Sequence, residues 1–175
     1  MAAPHPIRTL LVLGGARSGK SRYAQGRAEA LGLKPVYIAT CEPQDEEMAE
    51  RIGRHRDDRG EEWTTVEAPL ELANAIRVHA ASDTLLLIDC LTLWASNLMF
   101  AGRDAEHEAE LLAVALSDAA GPIILVSNEV GLGIVPENAL ARRFRDVAGR
   151  INQRMAEVVD EAVFVAAGLP LRLKG

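Results

Sequence analysis

The stretch that most constrains this chain is Gly14-Gly15-Ala16-Arg17-Ser18-Gly19-Lys20-Ser21, which follows the apolar run Thr9-Leu10-Leu11-Val12-Leu13. Its spacing is G-x-x-x-x-G-K-S, with a short β-type run in front and helix-compatible residues behind. Glycines let the backbone curl without Cβ clashes, so successive N–H groups can converge on phosphate oxygens. The unpaired N–H groups and the dipole at the head of the next helix favour the same anion. Lys20 can reach the β- and γ-phosphates, and the Ser21 hydroxyl can ligate Mg²⁺. A glycine-rich turn can match by chance. The strand before and the helix after argue instead for a phosphate-binding loop whose contacts are Gly14, Gly15, Ala16, Arg17, Ser18, Gly19, Lys20 and Ser21, with Lys20 also catalytic.

A second stretch, Thr84-Leu85-Leu86-Leu87-Ile88-Asp89, is a run of bulky apolar residues ending in one carboxylate. A buried strand tipped with Asp is the Walker B pattern, in which the acid holds a metal shell opposite the loop hydroxyl. Asp at a strand end also commonly caps a following helix, so the pattern alone is weak. Paired with the loop, it makes Ser21 and Asp89 the candidate Mg²⁺ ligands.

The remaining chain alternates in the same way. The run from Ile7 to Leu13 reads as a strand buried on both faces, and Lys20 to Leu31 as a helix closed by Gly32. Pro35 to Ala39 is a second strand, and its end, Ala39-Thr40-Cys41, falls where ligands lie in open α/β sheets. Asp45 to Arg56 reads as a polar helix with acids early and arginines late. Trp63 to Val66 is a short strand ending at Glu67, and Pro69 to His79 is a helix. Helices follow at Leu91 to Phe100 and Ala105 to Ala119, and a strand at Pro122 to Ser127. Val130 to Pro136 is an apolar, glycine-bearing loop on the site face, suited to a lid, a pocket wall or a plain connector. Glu137 to Asp160 carries Leu140, Phe144, Val147, Ile151, Met155 and Val158 in one amphipathic stripe, and Arg142, Arg143, Arg145 and Arg150 fall on its solvated faces. Ala162 to Ala167 is a last strand, with Leu169 to Leu173 the returning arm of a hairpin.

This order implies an α/β fold with a doubly wound, mostly parallel sheet, of the phosphate-loop NTPase (RecA-like) type. The 175 residues fit one domain over 1–175, with 1–6 as a flexible N-terminal extension. A net charge of −6 and few aromatic residues argue against a nucleic-acid surface. No apolar stretch approaches a membrane span, and no basic-then-apolar leader opens the chain, so the expected location is cytoplasmic. Cys41 and Cys90 read as reduced thiols and not as a disulfide. From the residues alone the reading is a Mg²⁺-dependent kinase or NTPase of unspecified acceptor.

Several segments together resemble the bifunctional adenosylcobinamide kinase / adenosylcobinamide-phosphate guanylyltransferase family. They are the loop through Arg22, Tyr37-Ile38-Ala39-Thr40, Asp45 to Ile52 with the His55 that follows, Asp89-Cys90-Leu91-Thr92, Ser127 to Asn138, and Phe144 to Gln153. The resemblance runs from about Leu11 to Lys174, and the His55 and Asn128–Asn138 segments are its specific parts. It implies two reactions, phosphorylation of adenosylcobinamide by ATP or GTP, then transfer of GMP from GTP through a guanylylated histidine to give adenosylcobinamide-GDP. By motif position His55 is that nucleophile; Arg54 stands where some members carry a second histidine. Neutral imidazole is a good nucleophile near pH 7, and neighbouring arginines both lower its proton affinity and neutralise phosphate. The resemblance also implies nucleotide contacts at Ala39, Thr40, Cys41, Arg56, Asp57, Asp58, Arg59, Glu67 and Asp89, and a homotrimer. Where some members have Glu, this chain has Asp89, which leaves metal or nucleotide sugar as its partner. The competing readings are a monofunctional small-molecule kinase, indifferent to His55, and a nucleotide-binding regulatory switch, against which the lack of an N-K-x-D motif counts.

Overall fold

The computed structural model describes residues 8–41 and 60–175; the expected helix from Asp45 to Arg56 and the N-terminal extension lie outside them. In chain order the elements are β1 (Thr9–Gly14), α1 (Lys20–Glu29), β2 (Lys34–Ala39), β3 (Thr64–Glu67), α2 (Leu72–His79), β4 (Thr84–Asp89), α3 (Leu91–Phe100), α4 (Ala105–Asp118), β5 (Ile123–Asn128), α5 (Ala139–Val158), β6 (Glu161–Ala166) and β7 (Leu169–Lys174). They build one sheet in the order β3-β2-β4-β5-β1-β6-β7, parallel except for the antiparallel edge strand β7.

Burial on both faces explains the near-continuous apolar strands. Leu11, Leu13, Leu86, Ile88, Ile123 and Leu125 face a core shared with α2, α3, α4 and α5. Their alternates Leu10, Val12, Leu85, Leu87, Ile124 and Val126 face Ala24 and Ala28 of α1. The small side chains on α1 let it lie close on the strands that carry the phosphate loop.

Three boundaries differ from the sequence expectation, each for a local reason. Helix α2 begins at Leu72 and not Pro69, because the Leu70 carbonyl accepts from Trp94 Nε1 (2.8 Å) and the Pro69 carbonyl from Asn97 Nδ2 (2.9 Å). Helix α5 begins at Ala139, since Asn138 caps it by accepting from the N–H groups of Leu140 and Ala141. It ends at Val158 because the Asp160 carboxylate turns to β1, taking hydrogen bonds from Thr9 N (2.9 Å) and Thr9 Oγ1 (3.0 Å). Leu140, expected on the buried stripe of this helix, is exposed, whereas Ile151 and Met155 are buried.

The fold also clamps the helix that carries the loop. Arg27 of α1 makes a two-pronged ion pair with the buried Glu161 of β6, at 3.0 and 2.8 Å, and a 2.8 Å bond to Tyr23 Oη. The hydrogen bonds from Arg27 hold the Glu161 carboxyl below its usual range. Glu161→Gln should therefore cost about 2 kcal/mol, below the full cost of breaking a buried pair because the Arg27 side chain is 31% exposed. As the folded carboxyl titrates below the unfolded one, this contribution is complete at neutral pH and fades as pH falls below the normal glutamate range. Urea denaturation at pH 7 and pH 4 checks both: the gap between wild type and variant should narrow at the lower pH.

Candidate phosphate site

The site is built where β1, β5 and β4 end. Gly14 closes β1 in register with Asn128 of β5, while Asp89 closes β4 in register with Val126 of β5 and Ala39 of β2. One strand thus separates the loop strand from the acid strand, about 10 Å at ordinary strand spacing. The chain spans that gap by curling from Gly14 into α1, which brings Ser21 Oγ to 3.4 Å from Asp89 Oδ2.

The curl depends on glycine at two places. A Cβ on Gly14 would sit 2.4 Å from Ser18 Oγ and 2.6 Å from the Val165 carbonyl oxygen. Gly19, the residue before α1, has φ +91° and no side-chain cap stands on the helix, so its first-turn N–H groups face the loop unscreened. From below, the Gly168 N–H donates to the Ser18 carbonyl at 2.7 Å. Gly168 belongs to the β6–β7 turn, whose Ala167 and Gly168 both have positive φ, as a tight two-residue hairpin requires. Lys20 Nζ rests on the Gly15 carbonyl at 3.1 Å, keeping a cation within the loop.

The other sequence-expected contacts lie along the same sheet edge. Ala39 pairs with both Asp89 and Glu67, and Glu67 is exposed at the tip of β3. Thr40 is fully buried; its hydroxyl donates to the Cys90 carbonyl and accepts from the Cys90 N–H, both at 2.8 Å, so it joins two strand ends. Cys41 is half-exposed and Cys90 buried, and neither is in a disulfide among the described residues. Burial, and then the neighbouring Asp89 carboxylate, push the Cys90 thiol up to about 11, which removes it as a nucleophile at neutral pH. His55, Arg56, Asp57, Asp58 and Arg59 lie outside the described residues.

A polar group that sequence reasoning missed stands beside Asp89. Thr92, Ser127 and Asn152 are all buried and join in hydrogen bonds around Asn128 at the tip of β5. The available signal was the one that marked Asp89: a polar residue directly after a buried apolar run. Elsewhere, a cleft of about 590 Å³ is lined by Arg103, Arg143 and Arg150 but also by Asp104, Glu106 and Asp146. Its charges balance, and it lacks the converging N–H groups that make the strand-tip loop a phosphate site.

Among solved structures, the flagellar accessory protein FlaH of Methanocaldococcus jannaschii superposes with a TM-score of 0.52 at 12% identity, over 95% of this chain and 78% of its own. A prototypical ATPase of the type III secretion system of pathogenic bacteria gives 0.52 at 11% identity, over 94% of this chain and 56% of its own. These likenesses concern the fold. Together with the loop geometry they define a phosphate-loop nucleotide-binding protein. More specifically, the model of the cobinamide kinase / cobinamide phosphate guanyltransferase (CobU) family matches residues 10–173, and the chain belongs to that family. The bifunctional adenosylcobalamin biosynthesis protein CobP of Pseudomonas aeruginosa is 48% identical over 167 residues, covering 94% of this chain and 96% of its own. The bifunctional protein CobU of Salmonella typhimurium is 41% identical over 182 residues, covering 94% of this chain and 99% of its own.

The two loop glycines should respond differently to a methyl group. Gly14→Ala forces Ser18 or the β6 backbone to move, whereas nothing lies within 4 Å of a Cβ on Gly15. Thermal melting without nucleotide should show Gly14→Ala clearly destabilised, by about 1–3 kcal/mol as overpacking costs, and Gly15→Ala near wild type.

Proposed function

We propose that this chain catalyses both reactions of its family, phosphorylating adenosylcobinamide with ATP or GTP and then transferring GMP from GTP to the phosphorylated product. The observation that carries this is the loop-to-acid geometry, Ser21 against Asp89 with Lys20 inside the loop, in a chain matched by the family model over residues 10–173.

In the first reaction, a hydroxyl oxygen of the aminopropanol arm attacks the γ-phosphorus and gives up its proton to solvent, the bond to the β–γ bridging oxygen breaks, and the nucleoside diphosphate leaves. Backbone N–H groups of Gly15 to Ser21 hold the phosphates, and Lys20 neutralises charge developing on the β- and γ-oxygens. Ser21 Oγ and Asp89 Oδ2 are hard oxygen donors 3.4 Å apart, a set suited to Mg²⁺. When bound there, Mg²⁺ would supply charge neutralisation across the phosphate oxygens. Ala39, Cys41 and Glu67, on the far side of Asp89, are the proposed contacts of the nucleotide's remaining parts, while Thr40, fully buried and bonded to Cys90, ties the strand ends beneath them instead of touching the nucleotide.

In the second reaction, an imidazole nitrogen of His55 attacks the α-phosphorus of GTP and pyrophosphate leaves. A phosphate oxygen of the phosphorylated cobinamide then attacks the same phosphorus and releases His55. Two displacements replace one difficult transfer. Arg56, Asp57, Asp58 and Arg59 follow the nucleophile as proposed nucleotide contacts.

We further propose a cytoplasmic homotrimer; among the described residues no helix is long and apolar enough to cross a membrane. The exposed Leu169, Leu171 and Leu173 on edge strand β7 support a subunit contact, and light scattering at three times the monomer mass checks it.

Incubation with α-³²P-GTP and Mg²⁺ without corrinoid tests the second reaction. Wild type should take up an acid-labile, alkali-stable label, and His55→Ala none. Lys20→Ala should lower phosphorylation of adenosylcobinamide by about 10²-fold or more. An unlabelled wild type that still binds nucleotide would reduce the reading to a monofunctional kinase.

A further inference from the structure

We propose that the side chain of Arg17 is catalytic in the phosphotransfer: from the crown of the phosphate loop its guanidinium hydrogen-bonds oxygens of the phosphoryl group being transferred. This deepens the phosphotransfer reading above and rests on it.

The backbone comes first. The Ser18 N–H donates to the Gly15 carbonyl at 3.3 Å, which closes Gly15 to Ser18 into one turn with Ala16 and Arg17 as its central pair. Arg17 stands there with φ +55°, in the left-handed region that is unfavourable for a residue with a Cβ. Turns that need positive φ at their third position ordinarily fill it with glycine or asparagine. The loop does use glycine at its other left-handed position, Gly19, with φ +91°. Among the described residues the only other non-glycine with positive φ is Ala167, whose side chain is a single methyl group. A long, charged side chain thus occupies a backbone position suited to glycine.

Nothing inside the protein offsets that strain. Arg17 is exposed, so its side chain contributes little burial, and its guanidinium makes no hydrogen bond or ion pair among the described residues. Arg27, Arg103, Arg150 and Arg154, by contrast, each hold a carboxylate. Strain of this kind persists at working positions, and the ligand of this loop is a polyphosphate anion.

The third observation is what the loop otherwise supplies. Its backbone N–H groups are fixed, and Lys20, resting on the Gly15 carbonyl, is a compact point charge. A planar guanidinium adds a fork of N–H donors that fits two oxygens of one phosphoryl group. During transfer negative charge spreads over the three equatorial oxygens of that group, and a fork on them strengthens as the charge develops. Attack at the α-phosphorus leaves the same group a bystander, so Arg17 serves the first reaction far more than the second.

The test compares wild type with Arg17→Gly and Arg17→Lys in the full chain. Melting without nucleotide is measured first, then dissociation constants for GDP and for the β,γ-imido analogue of GTP. Kinase kcat, KM towards adenosylcobinamide and the rate of α-³²P label uptake at saturating GTP follow. Arg17→Gly should melt no lower than wild type, because glycine takes up the turn without strain. Its kcat should nevertheless fall about 10²-fold or more, as loss of a charge-stabilising arginine does. The triphosphate analogue should bind it about 10-fold more weakly, with GDP affinity and acceptor KM within about twofold of wild type, since only the triphosphate presents the terminal group. Arg17→Lys keeps the charge without the fork and should restore kcat only to about 10-fold below wild type. Label uptake should stay within about threefold in both variants, because the α-phosphorus is displaced at another bond. Unchanged kcat in Arg17→Gly would overturn the proposal, as would equal loss of phosphorylation and label uptake. A lower melting temperature with equal weakening of both nucleotides would also overturn it and make Arg17 a support of the loop. Selective loss of the triphosphate analogue in Arg17→Gly, with no phosphorylation of adenosylcobinamide by wild type, would uphold the contact and overturn the functional reading alone.

Discussion

The structure depends on the parallel register of β1, β5 and β4. Because β5 lies between the other two, Gly14 and Asp89 end two strands apart, and the chain after Gly14 must turn back across that gap. The 3.4 Å approach of Ser21 to Asp89 is the result of that crossing. A slip of one residue in either pairing would exchange the faces of every residue in that strand, mismatching the packing of both cores and misplacing the acid. The hydrophobic alternation that separates Leu10 and Val12 from Leu11 and Leu13 therefore holds the site as well as the core.

Supports for the loop come from strands remote in sequence. The β6–β7 turn meets it from below through Gly168, and Glu161 of β6 grips Arg27 two turns into α1. A phosphate cradle is a concentration of N–H groups left without partners inside the chain and tolerates little looseness. Its rigidity comes from packing and from one satisfied ion pair. The acid side is tied differently, by Thr40 bonding Cys90 and Asn97 bonding the Thr40 carbonyl.

Most strands and the phosphate loop were legible because their chemistry is local. A parallel strand buried on both faces must read as an apolar run, and the run Thr84 to Asp89 is the strand observed. Helix starts were less legible where a carbonyl is captured from afar, as Trp94 and Asn97 capture those of Leu70 and Pro69. The Thr92–Ser127–Asn152 group was legible only at Ser127, which follows a buried apolar run; Thr92 and Asn152, 35 and 25 residues from it, each read as ordinary helix residues. Leu140 keeps the helical period but is exposed, as are Leu132, Ile134 and Val135 of the preceding loop, so periodicity there marks a surface and not a core. His55 differs in kind: it sits in a charge-dense stretch whose composition points to solvent, and only the family resemblance singles it out.

That difference bears on how one chain could run two transfers on one triphosphate. The groups gathered at the loop, Lys20 on the Gly15 carbonyl and Ser21 against Asp89, lie together where β1 and β4 end. They suit stabilisation of charge on a transferred terminal group. Attack at the α-phosphorus is in line with a different bond and needs its nucleophile on another side of the chain of phosphates. A fixed strand tip cannot serve both geometries, because its backbone is held by the sheet. The nucleophile proposed for the attack at the α-phosphorus, His55, lies in the sequence between β2 and β3, after the strand end Ala39-Thr40-Cys41 that borders Asp89. On the proposed reading the sheet supplies one fixed cradle, and the connection from β2 to β3 would supply the second chemistry.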